Sequence, residues 1–144
     1  MKKALVFLLF CLSSTMVLAQ KQLHWTPEPF GDINSTMTCT SVLQIDGIEQ
    51  KNSNLEIGVF SNDGKCRGAK LPLYRSKSDQ WLYQLVIKGA EGLTYTFKVY
   101  DHESNQELSL TPPETSMTYE ENAIHGSAKK PYILNFTSGK KSNK

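Results

Sequence analysis

Apolar and polar residues alternate along most of the chain, with the period of two that a half-buried β-strand requires. Met37, Cys39, Ser41, Leu43 and Ile45 share one face of a first segment, and Thr38, Thr40, Val42 and Gln44 share the other. Leu55, Ile57 and Val59 form a second inward set. Trp81, Tyr83, Leu85 and Ile87 form a third, Leu93, Tyr95, Phe97 and Val99 a fourth, and Tyr132, Leu134 and Phe136 close the series. Asp46-Gly47 is the strongest hairpin signal, and Ser61-Asn62-Asp63-Gly64 and Ser104-Asn105 are turn clusters. The short linker from Gly89 to Gly92 predicts that Gln80–Lys88 and residues 93–101 pair as an antiparallel hairpin, with their odd-numbered residues buried.

The weaker segments carry punctuation. Residues 66–74 read as a strand that Pro72 demotes to an edge or a bulge. Gly68 after Arg67 marks a bulge or tight bend, and Gly58 admits a ring or backbone at close range. Short strands are expected at 107–110 and 116–119, on either side of Pro112-Pro113. No window keeps a helical period. About eight short strands with frequent turns predict an all-β fold, an immunoglobulin-like or related antiparallel β-sandwich. Trp25 and Phe30 pin an extended lead-in, residues 20–32, to a sandwich spanning 33–137, and a basic tail follows at 138–144.

The first residues carry a different pattern. Lys2 and Lys3, an apolar run over residues 4–12, and Val17-Leu18-Ala19 make the three-part layout of a secretory signal, with cleavage after Ala19. Ser13, Ser14 and Thr15 interrupt the run before it reaches the ~20 residues a membrane span needs. The expected location is secreted, periplasmic or cell-surface, with no transmembrane segment once the signal is removed.

Cleavage changes the charge. The chain has 16 basic and 14 acidic residues, and losing Lys2 and Lys3 leaves the mature form formally neutral. That removes the electrostatic case for nucleic acid as a partner. It also removes Cys11, leaving Cys39 and Cys66 as an even pair in an oxidising compartment. A disulfide between them would add about 3–4 kcal/mol in the loop-entropy model; the alternative is two buried free thiols.

Several segments follow one another in a recognisable order: Ile45-Asp46-Gly47, then Glu56-Ile57-Gly58-Val59-Phe60, Cys66-Arg67-Gly68, Thr96-Phe97-Lys98-Val99-Tyr100-Asp101, and Gly126 with Pro131-Tyr132. Over residues 25–136 the chain resembles an extracellular β-sandwich module of secreted and surface proteins of the Bacteroidetes. The resemblance implies a fold and a compartment, and no catalytic activity.

The chemistry-bearing residues support the same direction. His24, His102 and His125 fall in polar stretches and read as surface residues, and no serine or cysteine sits in a nucleophile motif. The carboxylates Asp101, Glu103, Glu107, Glu120 and Glu121 fall in solvated segments without the burial a general acid needs. No cofactor is expected. Asp63, Asp101 and Glu103 are the candidate ligands for a structural calcium, although Asp and Asn make such turns without metal. Trp25, Tyr74, Tyr100 and Tyr119, with Arg67, are the candidate ligand-binding residues. The expected function is an exported, non-catalytic binding or adhesion module of the bacterial envelope or exterior. Its partner is a protein or a glycan, and an added strand near Pro72 is one mode of engagement. The alternatives are a lectin-like carbohydrate binder using exposed aromatics and a small secreted hydrolase.

Overall fold

Strands form wherever the alternation is sustained. In the computed structural model, residues 21–31, 35–114 and 116–139 are described; the expected signal peptide over 1–19 and the lysines of the tail lie outside them. The long elements are β1 (Thr36–Ile45), β3 (Leu55–Ser61), β4 (Cys66–Lys70), β6 (Gln80–Lys88), β7 (Thr94–Asp101) and β12 (Tyr132–Ser138). Shorter ones are β2 (Ile48–Glu49), β5 (Leu73–Arg75), β8 (Gln106–Glu107), β9 (Leu110–Thr111), β10 (Met117–Thr118) and β11 (Ile124–His125). The described residues contain no helix. The fold is an all-β sandwich.

One sheet has seven strands with the path β5-β6-β1-β12-β9, and β2 and β11 flank β1 in line with β6 and β12. The other has five, β10-β7-β3-β4, with β8 beside β7. Most pairings are antiparallel, but β11 and β12 run parallel to β1. Asp46 and Gly47 make the β1–β2 turn with φ of 53° and 78°, the left-handed pair of a type I′ turn. The predicted inward sets, together with Met117 and Tyr119, form and flank the core between the sheets, except Trp81, which is partly buried beside Tyr74 and lies outside it. Each large apolar side chain so buried contributes about 1.5–3 kcal/mol. Tyr83 of β6 adds a polar tie across the layers, its hydroxyl donating to the Leu55 carbonyl at 2.9 Å.

The hairpin expected between Gln80–Lys88 and residues 93–101 does not form. β6 pairs with β1 and β5, β7 pairs with β3, and the Gly89–Gly92 linker carries the chain from one sheet to the other. The burial expectation holds for most of both segments: Tyr83, Leu85, Ile87, Tyr95, Phe97 and Val99 are buried while Thr94, Thr96 and Lys98 are exposed, and Trp81, Leu93 and Asp101 are only partly buried. Two strands facing each other across a core present the same alternation as two strands side by side, so the pattern cannot choose between them. Pro72 also lies at a change of sheet, between β4 and β5. The bulge expected at Gly68 is present, because the β3–β4 register shifts between Val59 and Phe60 and leaves Arg67 as the extra residue.

The Cys39–Cys66 disulfide is likewise corrected: both thiols are free and buried. Cys39 points into the core from β1. Cys66 pairs with Phe60, outside the core cluster, on the far face of the opposite sheet. A sheet-to-sheet spacing of about 10 Å separates them, well beyond the reach of a disulfide. Burial pushes the Cys39 thiol up to about 11 despite a hydrogen bond with Ser41, and burial raises Cys66 as well. Both thiols are therefore protonated and unreactive at neutral pH. Protein expressed from residue 20 should take up iodoacetamide at pH 8 on both cysteines only after unfolding. An intact mass lower by two hydrogens would restore the disulfide.

Candidate functional site

Glu56 organises the outer face of the five-stranded sheet. It occupies an outward position on β3 yet is fully buried, because residues 21–31 lie over it. Its carboxylate accepts the backbone N–H groups of His24 at 2.7 Å and Trp25 at 3.0 Å, and meets His102 Nε2 at 2.6 Å. A buried charge needs such partners, since an unpaired one costs several kcal/mol. Trp25 lies flat against Gly58, where a Cβ would come within 2.5 Å of the indole. The ring also meets Phe60 edge-on at 5.3 Å and Tyr100 at 5.9 Å. His24 stacks on Tyr100 with centroids 3.6 Å apart. Glu28 N–H donates to the Cys66 carbonyl, so the same segment covers the edge of β4.

Phe30 provides the second pin. Its ring sits 4.5 Å from the Arg67 guanidinium, which is buried and bonded to Ser61 Oγ and Asp63, each at 2.9 Å. Bonds from Ser61 and the Lys65 N–H, followed by the Arg67 charge, hold the Asp63 carboxyl below the usual carboxylate range. Arg67 is thus committed to its own bulge.

The five candidate ligand-binding residues do not converge. Trp25 and Tyr100 meet under the lead-in. Tyr119 is in the core, where burial raises its hydroxyl pKa. Tyr74 stands apart on β5, half exposed, 5.2 Å from Trp81 and hydrogen-bonded to Asp79. The candidate calcium ligands are also separated. Asp63 follows the Ser61 end of β3, whereas Asp101 pairs with Leu55 at the other end. Asp101 accepts from the Glu103 N–H and the Ser104 hydroxyl, which lower its pKa. No three His, Cys, Asp or Glu side chains gather around a common point among the described residues. Of the three histidines expected at the surface, only His24 is exposed; His102 is 11% accessible, held by Glu56, and His125 is partly buried with its Nε2 enclosed.

The outer face of the seven-stranded sheet carries residues that alternation alone did not single out. Val86 of β6 and Ile124 of β11 flank Thr38 in one row, 54% and 78% exposed. In a second row, Leu73 pairs with Leu82 and Val42 pairs with Ile133. Leu82 and Val42 are buried without joining the core, while Leu73 and Ile133 are more than half exposed. The signal was present at outward positions of Thr-rich strands, but only the pairing brings these residues onto one surface.

The chain matches no family model, no curated protein and no solved structure. No helix among the described residues is long and apolar enough to cross a membrane.

Glu56→Ala should release the lead-in. Hydrogen exchange at the His24 and Trp25 amides should quicken and Trp25 emission should shift red, with a stability loss of about 2–4 kcal/mol. Unchanged exchange at both amides would show that the carboxylate does not hold the segment.

Proposed function

We propose that the chain is an exported, non-catalytic binding module that engages a protein partner through the outer face of its seven-stranded sheet. The observation that carries this reading is an asymmetry between the two outer faces. One is covered over β3 by residues 21–31 and shows the polar Thr94, Thr96 and Lys98 of β7, while the other leaves the aliphatic Val86, Ile124, Leu73 and Ile133 in solvent. Large aliphatic residues gathered on one surface favour protein association. Formal neutrality after removal of residues 1–19 fits a partner met through apolar contact rather than through long-range attraction.

The signal-like N-terminus and the resemblance to Bacteroidetes surface modules support a secreted, periplasmic or cell-surface location. The polar clusters are already engaged internally: Glu56 with the lead-in and with His102, Asp101 with the Glu103 N–H and Ser104 of its turn. The carbohydrate reading draws on one feature, the partly exposed Tyr74–Trp81 pair.

The double variant Val86→Asp, Ile124→Asp should unfold at the wild-type temperature and lose about tenfold or more in affinity for whatever protein the wild type captures from envelope extracts. Retention of full affinity would remove the face from consideration. A glycan retained by the double variant and lost on Tyr74→Ala would replace the protein partner with a carbohydrate.

A further inference from the structure

The side of the sandwich at β12 is open. Asp46 N–H donates to the Phe136 carbonyl, so the even-numbered residues of β12 direct their backbone groups at β1. Odd-numbered residues direct theirs away from it. At Thr137 that outward side is taken by Thr111 of β9. At Ile133 and Asn135 the N–H and C=O groups find no backbone partner among the described residues. β9 ends after two residues because Pro112 and Pro113 follow, and proline cannot continue a ladder.

Several other edges carry protection that this one lacks. β4 is covered by the lead-in at Glu28. β5 is three residues long, preceded by Pro72 and ended by Arg75, while β8 and β10 have two residues each. β12 is seven residues long with no charge and no proline. Natural sheets blunt an exposed edge with just such devices, and an edge left plain is a template for another strand. Ile133, Asn135 and Thr137 form one wall of a groove of about 560 Å³, and residues 111–114 form the other. Glu114 sits on that wall, exposed and without an ion pair among the described residues. The Asn135 side chain is occupied by the Gly47 N–H, so its backbone is what remains to offer.

We propose that the open edge of β12 receives an extended strand from a partner protein, antiparallel to β12, on the track that β9 abandons at Pro112. This rests on the reading of the chain as a protein-binding module. The incoming strand bonds the main chain of Ile133 and Asn135, places an apolar residue beside Ile133, and sets a basic residue against Glu114. Main-chain bonds supply affinity and the two side-chain positions supply selectivity. Glu114, without an ion pair among the described residues, selects against a second copy of this chain, whose two-fold pairing would bring the same Glu114 groove to both sides of the interface.

The probe is a synthetic peptide of alternating Val and Thr with an Arg at each end, added to protein expressed from residue 20 and followed by amide hydrogen exchange. Saturating peptide should slow exchange at Ile133 and Asn135 about tenfold or more. The same peptide N-methylated at alternate residues, which removes its donors on one edge, should have no effect. Glu114→Lys should weaken binding about two- to fivefold, the effect of one surface ion pair. The proposal is overturned if the Ile133 and Asn135 amides of the free protein exchange as slowly as that of Leu134, if the N-methylated peptide protects equally, or if the free peptide protects neither residue. Sedimentation showing a dimer abolished by Ile133→Lys would assign the edge to a second copy instead. These readouts leave Val86 and Ile124 intact. Loss of partner binding in the Val86→Asp, Ile124→Asp variant with an inert edge would remove this proposal and keep the protein-binding reading; the reverse pattern would keep the edge and remove the face.

Discussion

A fully buried carboxylate is the constraint on which the surface of this sandwich depends. Glu56 sits where β3 would otherwise show a polar residue to water, and ionised it would be costly there without partners. Two backbone N–H groups and the His102 ring supply them. All of these bonds come from outside β3, two of them from the lead-in, so the charge and the segment over it are mutually required. With the segment in place, Trp25 has Gly58 to lie on and His24 has Tyr100. Both faces of β3 are then buried over its whole length. The five-stranded sheet thereby has no free face over β3, and the seven-stranded sheet keeps one.

The sides of the sandwich show the same inequality. β4 and β6 approach so closely that a Cβ on Gly68 would lie 2.7 Å from the Val86 carbonyl oxygen. The Arg67 bulge sharpens the twist there, and the lead-in seals the outer edge of β4. On the opposite side the chain must also pass from the seven-stranded sheet to the five-stranded one, from β9 to β10. It does so through Pro112-Pro113, which cannot donate to β12. A crossing made with ordinary residues could have extended β9 along β12 and closed the edge. Proline marks the crossing on each side, Pro72 between β4 and β5 and Pro112-Pro113 after β9, and the second of these leaves Ile133 and Asn135 of β12 without a backbone partner among the described residues.

The sequence made the faces of the strands legible but not their neighbours. Period-two alternation says that Tyr95, Phe97 and Val99 go inward, and they do, because any inward position in a two-layer fold is a core position. It says nothing about whether β7 lies beside β6 or across from it. The misplacement of that pair and the expected Cys39–Cys66 bond share this cause. Cys39 and Cys66 were read as an available pair because chain separation was known and sheet membership was not. The bulge at Gly68 and the Asp46-Gly47 turn are legible because each reports a local backbone requirement, and Gly58 because a missing Cβ marks a close approach whichever partner makes it.

The site residues were harder for a related reason. Glu56 and His102 look like ordinary solvent-facing polar residues when β3 and the end of β7 are considered alone. Their burial is imposed by a segment more than 25 residues upstream, joined by backbone groups that carry no side-chain signature. Conversely, Val86, Ile124 and Ile133 are single apolar residues at outward positions, each unremarkable, since scattered surface aliphatics are normal. They become a surface only once Thr38 is paired on both sides and Val42 is set beside Ile133. Register, more than composition, is therefore what converts this chain's outward residues into a binding face. The same reasoning explains why the aromatic residues misled: large rings are the most conspicuous candidates in a sequence, and in a small sandwich they are also the most efficient fillers of its core and its covers.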